Sequence, residues 1–306
     1  MSFEAKIIAD SISPTGHRLT TFRLRYPRFI HAELMTHRIF SRNASSSRAI
    51  PVKKMLEDIN RDPAMPVYWG ANQQGMQAAE ELSGPNLEEV KQAWIDAMHS
   101  AMIYVRSMVD NQLHKQIANR ILEPWAHINV VVTATSWENF YTLRRHKDAQ
   151  PEIKHLADLM WEAQQASTPK ELLPGEWHLP YITQDDFSAA RHWQKQGRVT
   201  RDEPMYDELV EKVLLPVSVA RCARVSYLTF EGKPTTIQDD MLLYERLVVS
   251  QPLHASPAEH QGTPDNKGPE FDAYGDIQEW ENPELHGNFT GWIQHRKTLP
   301  GEFVPG

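Results

Sequence analysis

Residues 36–48, THRIFSRNASSSR, crowd three arginines, a histidine, an asparagine and four serines into one short run. Every polar side chain in it can donate a hydrogen bond and none is acidic, which is the composition a bound anion requires. A solvated polar loop is the competing reading, because Ser/Asn/Arg runs commonly turn the chain. Two further arginines stand where they could join: Arg120 in ANRILEP and Arg144 in SWENFYTLRRHKDAQPEI. If Arg38, Arg48, Arg120 and Arg144 converge, their planar forks suit a phosphate and an electron-rich heterocycle, and Ser46 and Ser47 add hydroxyl donors; the ligand is then a nucleotide. Each also has a structural alternative. Arg120 beside a proline stop could cap helix carbonyls. Arg144, Asp148 and Glu152 recur every four residues, with Asn139 about one turn back, as in a surface ion-pair ladder.

Other chemistries are poorly represented. No HExxH, CxxC or phosphate-loop glycine pattern occurs, and none of the 14 histidines pairs with an acid at metal-ligand spacing, so no metal is expected. Cys222, the sole cysteine, lies in the apolar ARCARVSY without a neighbouring histidine and reads as a buried structural thiol.

The elements that must position these residues follow from periodicity. Residues 18–26 alternate through Leu19, Phe22, Leu24 and Tyr26, a strand with one buried face ended by Pro27. RFIHAELMTHRIF has helical spacing, so His37 and Arg38 fall where a helix ends, and the Ser/Asn run continues as a loop. From Pro85 to about Ile121 an apolar stripe predicts a long amphipathic helix. A second is predicted from Ser136 past Met160, kinked at Pro151. Residues 166–216 read as a connection with short helices. VSVARCARVSYLTF is a short apolar piece, and a helix over 236–249 is capped by Thr236 and Asp239. SPTGH before His37–Arg38 and SPAEH before His295–Arg296 in GWIQHR suggest an internal duplication.

Bulk properties limit the partners. With 32 Lys plus Arg against 40 Asp plus Glu, the formal charge of −8 opposes nucleic acid and anionic membrane, despite the Arg-rich FRLRYPR. No apolar run approaches the roughly 18 residues of a membrane span, the N-terminus lacks a signal-peptide layout, and one cysteine permits no internal disulfide. A cytoplasmic protein is expected.

The run His37–Arg38, seven residues, Ser46, Ser47, Arg48 resembles the signature of flavin-dependent thymidylate synthases, and the likeness extends without a gap back to SPTGH. ANRILEP is similar to that family's Ala-x-Arg-x-x-Leu-Pro element, and ENFYTLRRHKDAQPEI to its Asn-Phe-x-x-Leu-Arg helix. ARVSY…HASPAEH resembles the family's usual start, so the order looks permuted or duplicated, as in long phage-type relatives. The resemblance implies an α+β fold, an antiparallel sheet packed with long helices. It also implies a main nucleotide- and flavin-binding half over 1–168, a connecting region over 169–215 and a degenerate second half over 216–306.

By that resemblance the activity is reductive methylation of dUMP to dTMP with FAD as cofactor and NADPH and methylenetetrahydrofolate as co-substrates. Arg144 is the catalytic residue, contacting the pyrimidine and favouring its ionised form. Glu33, Ser46, Ser47, Arg48 and Arg120 lie on the nucleotide; Ser13, Thr36, His37, Arg38, Thr133, Thr135, Asn139 and Asp148 lie on the flavin. The site forms between subunits of a homo-oligomer, a tetramer or a dimer. Four positions depart from the pattern: Thr36 for arginine, Ala44 for glutamate, Thr133 for asparagine and Asp148 for histidine. These leave open dCMP as substrate, a hydroxymethyl product, or a nucleotide-binding protein without catalysis.

Overall fold

The computed structural model describes residues 3–196, 206–225, 235–250, 253–269 and 279–302. Its centre is a five-stranded sheet of order β3-β4-β2-β1-β5, built from β1 (Glu4–Ile12), β2 (Arg18–Pro27), β3 (Ser41–Ala44), β4 (His127–Ala134) and β5 (Lys170–Glu171). All pairings are antiparallel except the two-residue edge β1–β5, which is parallel. A two-stranded ribbon, β6 (Gly262–Pro264) with β7 (Trp292–Gln294), lies beside it. The helices are α1 (His31–Met35), α2 (Val52–Arg61), α3 (Gly84–Asp110), α4 (Lys115–Ala118), α5 (Glu138–Arg144), α6 (Pro151–Gln165), α7 (Gln184–Gln196), α8 (Tyr206–Leu209), α9 (Leu215–Arg224), α10 (Ile237–Tyr244) and α11 (His295–Thr298). The fold is α+β, as expected.

Strand β2 is buried on both faces, not one. Phe22, Leu24 and Tyr26 join Val130 and Val132 of β4 against Phe140, Ile153, Leu156 and Met160 of α5 and α6. Leu19, of opposite parity, packs instead with Leu172, Phe289 and Trp292 on the far side. There Val131 also meets Cys222 and Val225. The sheet is thus the middle of three layers, and its continuous apolar character reflects two covered faces.

Several boundaries differ from the sequence reading. The Ser/Asn run begins as strand β3, pairing Ser41 with Thr133 and Ala44 with Val130. The long helix stops at Asp110, where Gln112 takes φ 64°, and the chain resumes as α4 and a 3₁₀ turn, Asn119–Trp125, that contains Pro124. The second long helix is two helices: Pro151 starts α6 at its first turn, where a missing N–H costs nothing, and Gln150 caps it by accepting from Ile153 N at 2.9 Å. Glu152 therefore leaves the presumed ladder; it is buried and accepts from Val67 N at 2.7 Å. Residues 217–224 of the short apolar piece lie in helix α9, while 226–230 lie outside the described residues. Thr236 and Asp239 form the capping box of α10.

Candidate functional site

The turn after α1 and the last turn of α5 meet at the sheet edge. Phe140 buries one side of α5 and stands edge-on to the His37 ring at 4.9 Å, while Phe40 stacks on that ring at 5.8 Å. His37 is held 92% out of solvent in this aromatic corner, with 8% exposure. Arg144, one turn beyond Phe140, donates from Nε to His37 Nε2 at 2.8 Å and from Nη2 to Thr36 Oγ1 at 3.0 Å. Thr36 in turn donates to Glu33 O at 2.7 Å. Burial, then the Arg144 and Arg42 guanidinium groups, push the His37 pKa below its ordinary value. His37 is therefore neutral, and because Nε2 accepts, its proton sits on Nδ1. Arg42 closes the corner by donating to Met35 O at 3.0 Å and His37 O at 3.2 Å.

A second cluster lies past the other end of β3. Four strand residues separate the two by about 13 Å. Asn119 donates to Ser47 O at 2.8 Å and Ile50 O at 2.9 Å, which fixes the Ser46–Arg48 loop against the 3₁₀ turn that carries Arg120. Glu123 sits between them. It accepts from Ser47 Oγ at 2.6 Å and Arg120 Nη1 at 3.0 Å, and lies 3.4 Å from Arg28 Nε. Arg28 also reaches Ser45 O at 3.2 Å. Arg48 and Arg120 are exposed and Ser46 half-buried. The cluster is therefore not donors alone, as the run suggested; two guanidinium groups, of Arg28 and Arg120, flank one carboxylate, and the balance stays positive.

The remaining expected residues spread around these two clusters. Arg38 and Asn139 are exposed close to His37 and Phe140 in sequence, and Asp148 is exposed in the turn before α6, 3.5 Å from His146 Nδ1. Glu33 is half-buried, and its Oε2 is buried without a partner among the described residues. Ser13 closes its own turn, accepting from His17 N at 3.1 Å. Thr135 accepts from Thr290 N at 3.0 Å.

Thr133 points the other way, into the layer behind the sheet. Its hydroxyl lies 2.8 Å from both Thr21 Oγ1 and His260 Nδ1, and Thr21 lies 2.8 Å from His178 Nε2, which reaches Ser11 through Nδ1 at 2.9 Å. All five side chains of this hydroxyl–imidazole chain are buried. Desolvation pushes both His178 and His260 down to about 3, so both rings are neutral. His260 is the histidine of SPAEH, so that motif docks residues after 253 onto the sheet. Cys222 lies in the same layer, fully buried, with Gln261 Nε2 at 3.6 Å; burial raises its thiol pKa far above the ordinary value.

Glu123, Arg28 and Arg42 were not singled out by the sequence. Glu123 sits inside the quoted ANRILEP and Arg28 inside FRLRYPR; the other arginines of that basic run are also matched by acids, Arg23 with Glu4 and Arg25 with Asp62 at 3.0 Å. Among the described residues no group of His, Cys, Asp or Glu is arranged to hold a metal, and no helix is long and apolar enough to cross a membrane.

The model of the thymidylate synthase complementing protein family, Thy1, matches residues 6–170, which contain nearly all of the five-stranded sheet and both clusters. That is over half of the 306 residues, and the chain belongs to this family. Similar solved structures include a UMP/dUMP methylase, PolB, from Streptomyces cacaoi bound with 5-Br UMP, at 19% identity over 53% of this chain and 88% of that one, TM-score 0.45. Thymidylate Synthase X from Helicobacter pylori with FAD and dUMP is another, at 20% identity over 48% and 67%, TM-score 0.33. No curated protein matches the chain.

Proposed function

We propose that the chain is a flavin-dependent thymidylate synthase that methylates carbon 5 of dUMP, with FAD as cofactor and methylenetetrahydrofolate and NADPH as co-substrates. The observation that carries this reading is the clamp on Arg144 by His37 and Thr36, within a family whose model spans both. Two of the guanidinium's donors are fixed by protein, so the cation is oriented before any ligand arrives. Because His37 is neutral, the positive charge of the pair belongs to Arg144 alone. A cation so placed beside a pyrimidine favours its ionised form and makes carbon 5 the better nucleophile.

The residues fit both ligands on donor chemistry. Ser46, Arg48 and Arg120 offer hydroxyl and guanidinium donors to a phosphate, with Arg28 and Glu123 setting their positions. Ser47 already donates to Glu123, so it shapes the loop and leaves the phosphate to Ser46 and the arginines. Thr36, Arg38, Asn139 and Asp148 supply the mixed donors and acceptors that a flavin edge needs. When bound, the flavin supplies the hydride and the folate the one-carbon unit. Arg48 and Arg120 are exposed, and Ile117 and Ile121 beside Arg120 are 53% and 37% exposed. We read this surface as meeting a second copy of the chain, which completes the site.

The replacement of a glutamate by Ala44, near the nucleotide and flavin, supports a second reading: C5 methylation or hydroxymethylation of dCMP or dUMP. Mass spectrometry of products from dUMP and from dCMP, each with both co-substrates, separates the two. dTMP from dUMP is expected; turnover of dCMP alone would replace the first reading with the second.

A further inference from the structure

The loop Gly287–Gly291, which leads into β7, lies beyond the residues that the family model matches, yet it reaches the turn that carries His37. Asn288 donates from Nδ2 to Ile39 O at 2.6 Å, and its Nδ2 and Oδ1 each lie 3.1 Å from Ser41 Oγ. Gln294 of β7 donates to Asn288 Oδ1 at 2.7 Å, which turns the amide so that its N–H groups face Ile39 O. Two residues on, Thr290 N donates to Thr135 Oγ1 at 3.0 Å. One loop therefore holds both the 37–41 turn and a residue expected on the flavin.

The loop is built to keep that position. Gly287 and Gly291 take φ 62° and 72°, and a Cβ there would stand 2.5 Å from Gln294 Oε1 and 2.7 Å from the Trp280 ring. Between them Phe289 is buried with Leu19, Leu172 and Trp292, which anchors the loop on the far face of the sheet. Asp265 N donates to Gly291 O at 3.1 Å, and the Asp265 carboxylate lies 2.9 Å from His286 Nε2. The peptide that Asn288 grips joins Ile39 to Phe40, and Phe40 stacks on the His37 ring. Arg42 holds the start of the same turn through Met35 O and His37 O, so Asn288 supplies the constraint at its other end.

We propose that Asn288 is a positioning residue: by fixing the Ile39–Phe40 peptide from behind the sheet, it keeps Phe40 on the His37 ring and so holds His37 where it accepts from Arg144. This deepens the function proposed above, on which its effect on turnover rests. A loose Phe40 opens the aromatic corner to water, which slackens the hold of His37 on Arg144 and admits the charged ring. The charges that act on that ring are Arg144 from α5 and Arg42 from β3; Asn288 brings none of its own.

The test compares full-length Asn288→Ala and Asn288→Leu, the second keeping the side-chain volume, with Asn266→Ala, which removes an exposed asparagine of the same C-terminal segment. Steady-state dTMP formation and NMR titration of the His37 ring without substrate are measured on each. Both Asn288 variants should lose about tenfold in kcat while the KM for dUMP stays within about twofold, because the cluster proposed to hold the phosphate is untouched. Their His37 midpoint should move up toward 6.5. Asn266→Ala should match the wild type in all three. Thermal melts establish which variants are folded. The proposal is overturned if the His37 midpoint or kcat is unchanged in the folded Asn288 variants, if the loss falls on KM alone, or if Asn266→Ala reproduces it. It is equally overturned if both Asn288 variants unfold, which would make the residue a structural one. Absence of dTMP with the wild type would bear on the function proposed above, and the ring titration would still decide the role of Asn288.

Discussion

Arg144 and His37, 107 positions apart, share a hydrogen bond of 2.8 Å in which the guanidinium donates and the imidazole accepts. The direction of that bond decides the protonation state of the histidine and ties a cation on α5 to the turn after α1. Arginine serves here because Nε and Nη2 address two acceptors at once. Lysine also has several N–H donors, but on one nitrogen at the end of a flexible stem, without the rigid fork that fixes both directions.

Arg144→Lys and Arg144→Ala should therefore both cost turnover, by about 10²–10³ in kcat, the scale of removing one preorganised donor from an active site. Stability should change by about 1 kcal/mol or less, because the side chain is half-exposed. Steady-state dTMP formation and thermal melts measure the two. Near-full activity in the lysine variant would show that charge suffices without the clamp.

His37 has a folded pKa below its ordinary value of 6.5, so the acceptor is present above that folded pKa and is lost as pH falls through it. Turnover should be flat at neutral pH and decline on an acid limb whose midpoint lies below 6.5. Titration of the His37 ring signals by NMR reads the same group directly; a midpoint above 6.5 would mean that the corner does not exclude the charged ring.

Glu123 is the acid that Arg28, Ser47 and Arg120 share in the cluster proposed to hold the phosphate. Glu123→Gln keeps an acceptor for Ser47 and removes the charge, so dUMP should bind about tenfold more tightly. The cost in stability should be about 1 kcal/mol from the weakened Arg28 and Arg120 contacts. Equilibrium binding and chemical denaturation report the two effects. Weaker nucleotide binding would assign Glu123 to orienting the arginines, with its charge of little account.

His178 and His260 have folded pKa values near 3, while the unfolded chain takes up protons below about 6.5. Stability should therefore fall steadily as pH drops from about 6.5 toward 3, the unfolded state binding more protons throughout. Melting temperatures across that range, with His260→Gln as a variant that lacks one titrating ring, should show a shallower slope for the variant. Equal slopes would show that His260 does not contribute to the acid loss of stability.

The proposal that a second copy completes the site is open to a complementation test. Arg120→Ala and Arg144→Ala, each inactive alone, should regain measurable turnover when mixed and allowed to exchange subunits. No recovery, with exchange verified by mass, would place both arginines in one chain's site.

What the sequence showed depends on the range of the interaction. β2 and the capping box of α10 were legible because alternation and a Thr-x-x-Asp spacing are local signals. β3 was not: Ser41, Arg42, Asn43 and Ala44 lack an apolar alternation, and the strand exists through its pairing with β4, some 90 positions later. Leu19 was assigned to the wrong face because the second covering layer comes from the far end of the chain. Arg144, Ser46, Arg48 and Arg120 were visible as donors, yet their acid, Glu123, was hidden as an ordinary turn residue. The same distance hid the pairing of Thr133 with His260, 127 positions apart.

The most direct measurement is the visible absorption spectrum of the purified chain, supplied with FAD and desalted, before and after dUMP is added. A retained flavin band is expected, which shifts when dUMP binds and does not shift in Arg144→Ala. A colourless protein that still binds dUMP would contradict it and leave a nucleotide-binding protein without flavin chemistry.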